Sequence, residues 1–216
     1  MKITIREPGS AITHYVAMMM AMIAAVPLLI KATMSQNQSH VIAMLIFAGS
    51  MVLLYAASTM YHAVNVSGKV LKIFKKFDHM MIFVLIAGTY TPVCMIVLSK
   101  ETGYPLLGLV WATAMVGIII KMFWVTCPKW FSSVIYIAMG WECVLVFRPL
   151  LNTLSTGAFL WLLIGGVIYT IGGVIYALKI PVLDALHKFF GLHEIFHIFV
   201  MMGSFCHFMF MFLYVA

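Results

Sequence analysis

The sequence predicts an all-α membrane protein, a seven-transmembrane-helix bundle that forms a single domain over residues 1–216. The first observation behind this prediction is composition: 64% of the residues are hydrophobic, 9% are charged and the mean hydropathy is +1.10. Soluble domains carry about 25% charged residues, so the solvent of this chain is a bilayer. The second observation is the length of the apolar stretches, which reach the roughly 20 residues that a membrane-crossing helix needs. Backbone groups in lipid must bond to one another, and runs of this length do so as helices.

Seven apolar stretches are predicted to cross the membrane, and short polar breaks such as "SQNQSH" and "CPKW" separate them. The predicted spans cover residues 12–33, 41–63, 78–99, 105–126, 131–149, 157–178 and 191–215. The sixth span contains "GGVIY" twice, at 165–169 and 172–176. This spacing keeps the glycine pairs on one helix face, which predicts close packing against another helix. In the third span, Pro92 removes a backbone hydrogen bond and can kink the helix.

The basic residues predict the orientation of the bundle, because cytoplasmic loops carry an excess of Lys and Arg. With the N-terminus placed inside, only three basic residues fall on the outer side, Lys31, Lys100 and Arg148. The inner side then holds the other ten, which are Lys2, Arg6, Lys69, Lys72, Lys75, Lys76, Lys121, Lys129, Lys179 and Lys188. The sequence therefore predicts a cytoplasmic N-terminus, an external C-terminus and a location in the inner or plasma membrane.

The formal net charge of +7 does not indicate nucleic-acid binding in this chain. In a membrane protein such an excess is typical of the loop lysines that set orientation. The expected partners are membrane lipids, and the oligomeric state is left open. Four cysteines stand singly and are interpreted as small hydrophobic residues in helices, namely Cys94, Cys127, Cys143 and Cys206.

Polar residues from three separate spans are predicted to meet at one depth. The second span ends on the cytoplasmic side with "STMYH", which contains Ser58 and His62 one helical turn apart. The third span begins on that side with Asp78, and the seventh begins there with His193 and His197, again one turn apart. Uncompensated polar groups are costly in hydrocarbon, so this coincidence indicates a functional site in the cytoplasmic leaflet.

Three neutral imidazoles with one open position form the ligand set of a catalytic zinc, which makes the three histidines candidate metal ligands. Asp78 is a candidate for orienting a ligand or moving a proton, and Ser58 for donating to a carbonyl or oxyanion. Plainer interpretations exist for each residue. A histidine at a helix end can sit in the membrane interface, Asp78 can cap the third span, and Ser58 can bond to its own helix. The shared depth favours the metal site.

Other polar residues give weaker signals. Glu7 and His14, in "REPGSAITHY", could meet the inner site from the first span or could simply cap that span. Glu194 lies about 100° round the helix from His193 and is expected to face the lysine-bearing inner surface. Glu142 lies inside the fifth span, where a carboxylate needs a partner or a cavity. His207 is predicted to lie too far towards the outer leaflet to share the metal.

Motifs spread over nearly the whole chain resemble those of one family. They are "EPGSAITH" (7–14), "STMYH" (58–62), "KKFDH" (75–79), "AGTYTP" (87–92), "AMGW" (138–141) and "HEIFHIFVMMGSFCH" (193–207). In this order and on these spans, they resemble the hemolysin III-type proteins of the progestin and adipoQ receptor (PAQR) superfamily. Ser10 stands where bacterial members often carry Asn.

The resemblance implies seven helices with the N-terminus inside and a zinc ion held by His62, His193 and His197. It also links Ser58 and Asp78 to that centre. Wider relatives include ceramidase-like membrane hydrolases, so the resemblance implies hydrolysis of lipid amides or esters. Two alternatives stay open beside a zinc-dependent lipid hydrolase. One is a non-enzymatic sensor or regulator of membrane state with structural zinc. The other, least favoured, is a cytolysin, because few intramembrane charges are available to line a pore.

Overall fold

The computed structural model describes residues 5–179 and 190–216, and it confirms the predicted all-α helix bundle. The helices are α1 (Pro8–Met34), α2 (Gln38–Ala63), α3 (Gly68–Pro92), α4 (Lys100–Phe123), α5 (Lys129–Gly140), α6 (Phe147–Thr153), α7 (Thr156–Leu178) and α8 (Leu192–Phe210). A π-helical turn, Val93–Val97, extends α3, and a second one, Met211–Val215, extends α8. Lys2, Lys188 and most of the break "LKIPVLDALHK" lie outside the described residues.

Seven segments of the described chain are helical, long and apolar enough to cross a membrane. Six of them correspond to α1, α2, α3, α4, α7 and α8, and the fifth span comprises α5, a 3-10 turn (Glu142–Val146) and α6. Consecutive helices pack side by side from α1 to α4. The bundle closes where α8 packs between α1 and α7, and where α7 packs on α5. This closure brings the start of α8 next to the start of α1 and the end of α2.

The glycine stripe of the sixth span packs as predicted against the last helix. A Cβ atom on Gly172 would lie 2.6 Å from Cβ of Phe199, and one on Gly165 would lie 2.8 Å from Nε2 of His207. Real Cβ atoms do not approach other atoms this closely, so only glycine allows α7 and α8 to lie together at these points. Gly203 on α8 makes the reciprocal contact with the ring of Tyr169.

The helix that carries the third span begins at Gly68, ten residues before the predicted start of that span at residue 78. The lysines that suggested a loop include Lys69, Lys72 and Lys76, which lie three or four residues apart and share a helix face. Lysine is a good helix former, and the segment continues α3 beyond the apolar run. Asp78 therefore lies ten residues inside the helix, which rules out its interpretation as an N-cap.

The helix of the fifth span, which was predicted over residues 131–149, is interrupted. Regular α-helix ends at Gly140 and resumes at Phe147. Tyr90 of α3 holds the interruption: its hydroxyl donates to the Gly140 carbonyl at 2.6 Å and accepts from the Cys143 N–H at 2.8 Å. A side chain from a neighbouring helix thus replaces backbone bonds, which is how irregular backbone is tolerated at membrane depth.

Candidate metal centre

Three histidines meet at one end of the bundle. His62 lies in the last turn of α2, whereas His193 and His197 lie in the first two turns of α8. Each offers a ring nitrogen, and these three atoms lie within 4.8 Å of one another. Nε2 of His62 is 3.1 Å from Nε2 of His193. His62 and His197 are each only 2% exposed. The group could hold a metal ion, and α2 and α8 position it.

Glu7 orients the His62 ring. The segment before α1 lies on the end of α2, where the Glu7 N–H donates to the His62 carbonyl at 3.0 Å and Arg6 donates to the Tyr61 carbonyl at 2.7 Å. This places a Glu7 carboxylate oxygen 2.5 Å from Nδ1 of His62. The hydrogen bond with His62 lowers the pKa of Glu7, so the carboxylate accepts and Nδ1 carries the proton. The lone pair of His62 is left on Nε2, facing His193.

Thr13 of α1 orients the His197 ring in the same way. Its hydroxyl donates to the Ser10 carbonyl at 2.9 Å and lies 3.1 Å from Nδ1 of His197. A hydroxyl has one proton to donate, so towards His197 it acts as an acceptor. His197 therefore carries its proton on Nδ1 and a lone pair on Nε2. The prediction from sequence missed Thr13, because no pattern in the sequence links it to His197, 184 residues away.

Glu7 and His14, which the sequence left as either site residues or caps of the first span, both lie against the three-histidine group. Glu7 occupies the N-cap position of α1 but makes no side-chain capping bond. The His14 ring stacks on His197, with centroids 3.5 Å apart and planes 8° apart. The two His14 nitrogens have no hydrogen-bond partner within the described residues. His14 thus packs against a candidate ligand without bonding to it.

Asp78 and Ser58 lie beside the histidines. Asp78 of α3 is 7% exposed, Ser58 of α2 is fully buried, and the polar neighbours of the Asp78 carboxyl group are His62 and Ser58. Among the described residues, the Ser58 hydroxyl bonds to no carbonyl of its own helix, and it lies beside the Asp78 carboxyl group. The alternative that Ser58 bonds to an α2 carbonyl is therefore wrong. Both side chains line a cavity that begins at the histidines.

From the sequence, Glu194 was expected to face the lysine-bearing surface. In the structure it instead links α8 to α1. Its carboxylate accepts from the Gly191 N–H at 2.8 Å, which caps the start of α8, and also accepts from the Ser10 hydroxyl. Ser10 of α1 is thus engaged with the first turn of α8. Glu142, whose partner the sequence did not predict, has Thr113 as its polar neighbour.

A largely apolar cavity of about 180 Å³ leads away from the histidines into the bundle. At one end it is lined by His14, Ser58, Asp78, His193 and His197. Aliphatic and aromatic side chains from α2, α3, α7 and α8 form most of its wall, including Leu54, Leu85, Ile86, Leu162 and Val200. His207 lines the cavity further along α8. The polar group therefore opens onto a space that suits hydrocarbon.

The fold and the site define a class: a multi-pass membrane protein with a buried three-histidine group, able to hold a metal ion, at one end of a cavity. The sequence profile of the family described as haemolysin-III related matches residues 3–208. The chain is 37% identical to "Hemolysin-3" of Bacillus cereus over 199 residues, which cover 92% of this chain and 86% of that protein. It is also 37% identical to the "Hemolysin-3 homolog" of Bacillus subtilis (strain 168) over 203 residues, which cover 93% and 91% of the two chains. The chain belongs to the haemolysin-III related family.

Proposed function

We propose that this protein is a zinc-dependent membrane hydrolase that cleaves an amide or ester bond of a lipid. The observation that carries the proposal is the position of the three-histidine group at the polar end of an apolar cavity, with Asp78 and Ser58 in the same wall. A site of this kind combines metal-binding nitrogens, a proton-transfer group and space for an acyl chain.

The donor set fits zinc. Imidazole nitrogens suit Zn²⁺, and two ligands at 2.0–2.1 Å from one tetrahedral ion lie about 3.3 Å apart. Nε2 of His62 and Nε2 of His193 are 3.1 Å apart. Glu7 and Thr13 supply the outer hydrogen bonds that hold ligand histidines in one tautomer. Three protein ligands leave a fourth position for water or substrate, the pattern of a catalytic rather than a structural zinc site.

Zinc at this site would supply Lewis acidity and make water a stronger nucleophile at neutral pH. Asp78 would accept the proton that this nucleophile releases and return it to the leaving amine or alcohol. The buried Ser58 hydroxyl, which lies beside the Asp78 carboxyl group, would donate to the substrate carbonyl oxygen. The apolar wall would hold the acyl chain and keep bulk water from the reacting bond.

A second candidate function is that of a non-enzymatic sensor or regulator of membrane state, with zinc in a structural role. The contacts that favour it tie three helices to one centre: Glu7 links the start of α1 to His62 on α2, and Thr13 links α1 to His197 on α8. A metal ion there would staple these helices. The name "Hemolysin-3" of a relative raises cytolysis as a third candidate, but the cavity wall is mostly apolar and does not suit an ion pathway.

We also propose that the histidine end of the bundle faces the cytoplasm, in the inner or plasma membrane. The support is the excess of Lys and Arg at that end, where the first turns of α3 carry Lys69, Lys72, Lys75 and Lys76. Single cysteines introduced near Lys69 and near Lys100 should react with an impermeant reagent from opposite sides of sealed vesicles. Labelling of the Lys69 position from outside intact cells would overturn the orientation.

Two substitutions separate the enzyme from the regulator. Asp78→Asn removes the proton acceptor and leaves all three histidines, so it should abolish lipid hydrolysis while metal content and fold persist. Ser58→Ala removes one hydrogen-bond donor, about 0.5–1.5 kcal/mol, and should slow turnover roughly two- to tenfold. Ser50→Ala is the matched control, because Ser50 is also buried on α2 but bonds to the Phe47 carbonyl.

The measurements are hydrolysis of a panel of ceramide-like and ester lipids, thermal melting in detergent and metal content. If zinc is only structural, Asp78→Asn should act on melting instead, most strongly at modest zinc concentration. A wild-type protein that holds zinc, cleaves none of these lipids and loses melting temperature in Asp78→Asn would refute the hydrolase and support the regulator.

A further inference from the structure

The far end of the cavity carries a second polar group, His207 of α8. This residue lines the cavity and is 6% exposed. Its Nδ1 is enclosed and has no hydrogen-bond partner within the described residues. Buried polar atoms of folded proteins are almost always paired, so an unpaired imidazole in an apolar wall calls for a ligand or another explanation.

The surroundings of His207 hold its ring in place. The ring stacks on Tyr169 with centroids 5.3 Å apart and planes 27° apart. The Nε2 edge of the ring lies against Gly165, where any Cβ atom would come 2.8 Å from Nε2. The glycine stripe of α7 therefore does more than allow close helix packing, because at Gly165 it makes the space that the imidazole occupies.

Neighbouring polar groups do not compete for His207, because they bond to one another. The hydroxyls of Tyr169 and Tyr55 both bond to Ser204, at 2.8 and 2.7 Å. Thr170 donates to the Gly166 carbonyl at 2.7 Å and accepts from the Trp141 indole at 2.9 Å. Each of these groups is engaged, whereas Nδ1 of His207 has no partner in the described part of the chain and is able to bind an incoming polar atom.

The distance between the two polar ends sets the length of a matching ligand. His197 and His207 lie ten residues apart on α8, which is about 15 Å along the helix axis. An extended chain advances about 1.2 Å per bond, so this distance corresponds to roughly twelve carbons. The wall between the two ends includes Val200, Leu162 and Leu163 and offers contacts to hydrocarbon.

We infer that His207 recognises a hydroxyl group carried roughly twelve carbons from the carbonyl of the bound acyl chain. This inference rests on the proposed function, since it takes the carbonyl to lie at the histidine group. The unpartnered Nδ1 of a neutral imidazole either donates or accepts one hydrogen bond, and a hydroxyl can pair with it in either tautomer. A charged group would be buried in an apolar wall, at a high desolvation cost. The chemical class is therefore a mid-chain hydroxylated acyl lipid.

Binding of free fatty acids to the purified, zinc-loaded protein in detergent tests the inference by titration calorimetry. The probes are stearate, 12-hydroxystearate, with its hydroxyl at about the predicted distance, and 2-hydroxystearate, with its hydroxyl near the carboxylate. Wild type should bind the 12-hydroxy acid about tenfold more tightly than either of the others, since a site built to hydrogen-bond a hydroxyl disfavours the analogue that lacks it there.

His207→Phe keeps a ring to stack on Tyr169 but removes both nitrogens, and it should bind all three acids with the same affinity. His207→Asn retains a donor and an acceptor and should restore part of the preference. Equal affinities in wild type, as expected if His207 bonds only to water, would overturn the inference, and so would a preference that survives in His207→Phe. The measurement on wild type alone decides whether the protein prefers the 12-hydroxy acid, whether or not the variants fold.

This readout is separable from the proposed hydrolase. Lipid cleavage with no preference for the mid-chain hydroxyl would refute the role of His207 and leave the hydrolase standing. A clear preference in a protein that cleaves no lipid would refute the hydrolase and leave His207 as a recognition residue.

Discussion

Two buried polar clusters lie in the same bundle and differ in how their polar atoms are paired. In the first, His62 and His193 point nitrogen atoms at each other, 3.1 Å apart, in a group that could hold a metal ion. In the second, the fully buried Lys121 places its Nζ 3.0 Å from Sγ of Cys127 and 2.5 Å from Oγ of Ser132. In the first cluster the ring nitrogens point towards a common position between them. In the second cluster the polar atoms hydrogen-bond to one another.

The clusters also differ in their origin and surroundings. Lys121, Cys127 and Ser132 lie within eleven residues of one another, on α4, the connection after it and α5. His62 and His193 are 131 residues apart and meet only when the bundle closes. His193 and His197 line the cavity, whereas Lys121, Cys127 and Ser132 do not. A self-satisfied cluster beside no cavity stabilises the fold, whereas converging nitrogen atoms at the mouth of a cavity provide for a ligand.

The largest expected effect comes from removing a histidine of the first cluster. His62→Ala takes away one of three ligands and one end of the Glu7 hydrogen bond, so zinc affinity should fall by more than about 100-fold, beyond the loss typical of outer hydrogen bonds. Elemental analysis of the purified variant should find little zinc. The control is His40→Ala, at the opposite end of the same helix, which should keep full zinc. Full occupancy in His62→Ala, and likewise in His193→Ala and His197→Ala, would refute the assignment.

A smaller effect is expected from the residues that orient the rings. Thr13→Val keeps the shape of the side chain but removes the acceptor of the His197 Nδ1 proton, and it should weaken zinc binding about 10- to 100-fold. Glu7→Ala should act similarly through His62. Competition against a chelator of known affinity measures both. Thr59→Val is the control, because the Thr59 hydroxyl bonds to the Tyr55 carbonyl of its own helix. Unchanged affinity in both variants would mean that neither residue supports the centre.

No effect on zinc binding is expected from a substitution in the lysine cluster. Lys121→Met removes the amine but fills the space, leaving the Ser132 hydroxyl without that partner, and should cost about 1–3 kcal/mol of stability. Lys100→Met, at the exposed start of the same helix, should change little. Thermal melting measures the stability of each variant, and elemental analysis measures its zinc content. Loss of zinc in Lys121→Met at native-like stability would show that the two clusters are not independent.

Much of this comparison was predictable from sequence, because it depends on periodic patterns. Runs of about 20 apolar residues predicted all seven spans, and the i,i+4 spacing of His193 and His197 placed both rings on one face. Because successive spans cross the membrane in opposite directions, His62 at the end of the second span was predicted to lie at the same end of the bundle. These inferences need only helix geometry and the cost of burying polar groups.

The remaining features depend on contacts between distant segments. Lys121 counted as an inner-surface charge in the sequence, and only the packing of α4 against α5 shows that it is fully buried. Thr13 gave no sign of its contact with His197, which lies 184 residues away. The interruption at Gly140 depends on the Tyr90 hydroxyl of another helix. Side-chain hydrogen bonds between helices produce no periodic pattern in the sequence.

X-ray absorption at the zinc edge tests the central claim most directly, because it reports both the presence of the metal and its ligands. The account predicts one zinc per chain in wild type, with a first shell of nitrogen and oxygen at about 2.0–2.1 Å and the outer-shell signature of three imidazoles. That signature should disappear in His197→Ala and persist in Lys121→Met. A protein purified with zinc available that binds none, or a first shell containing sulfur at about 2.3 Å, would contradict the account.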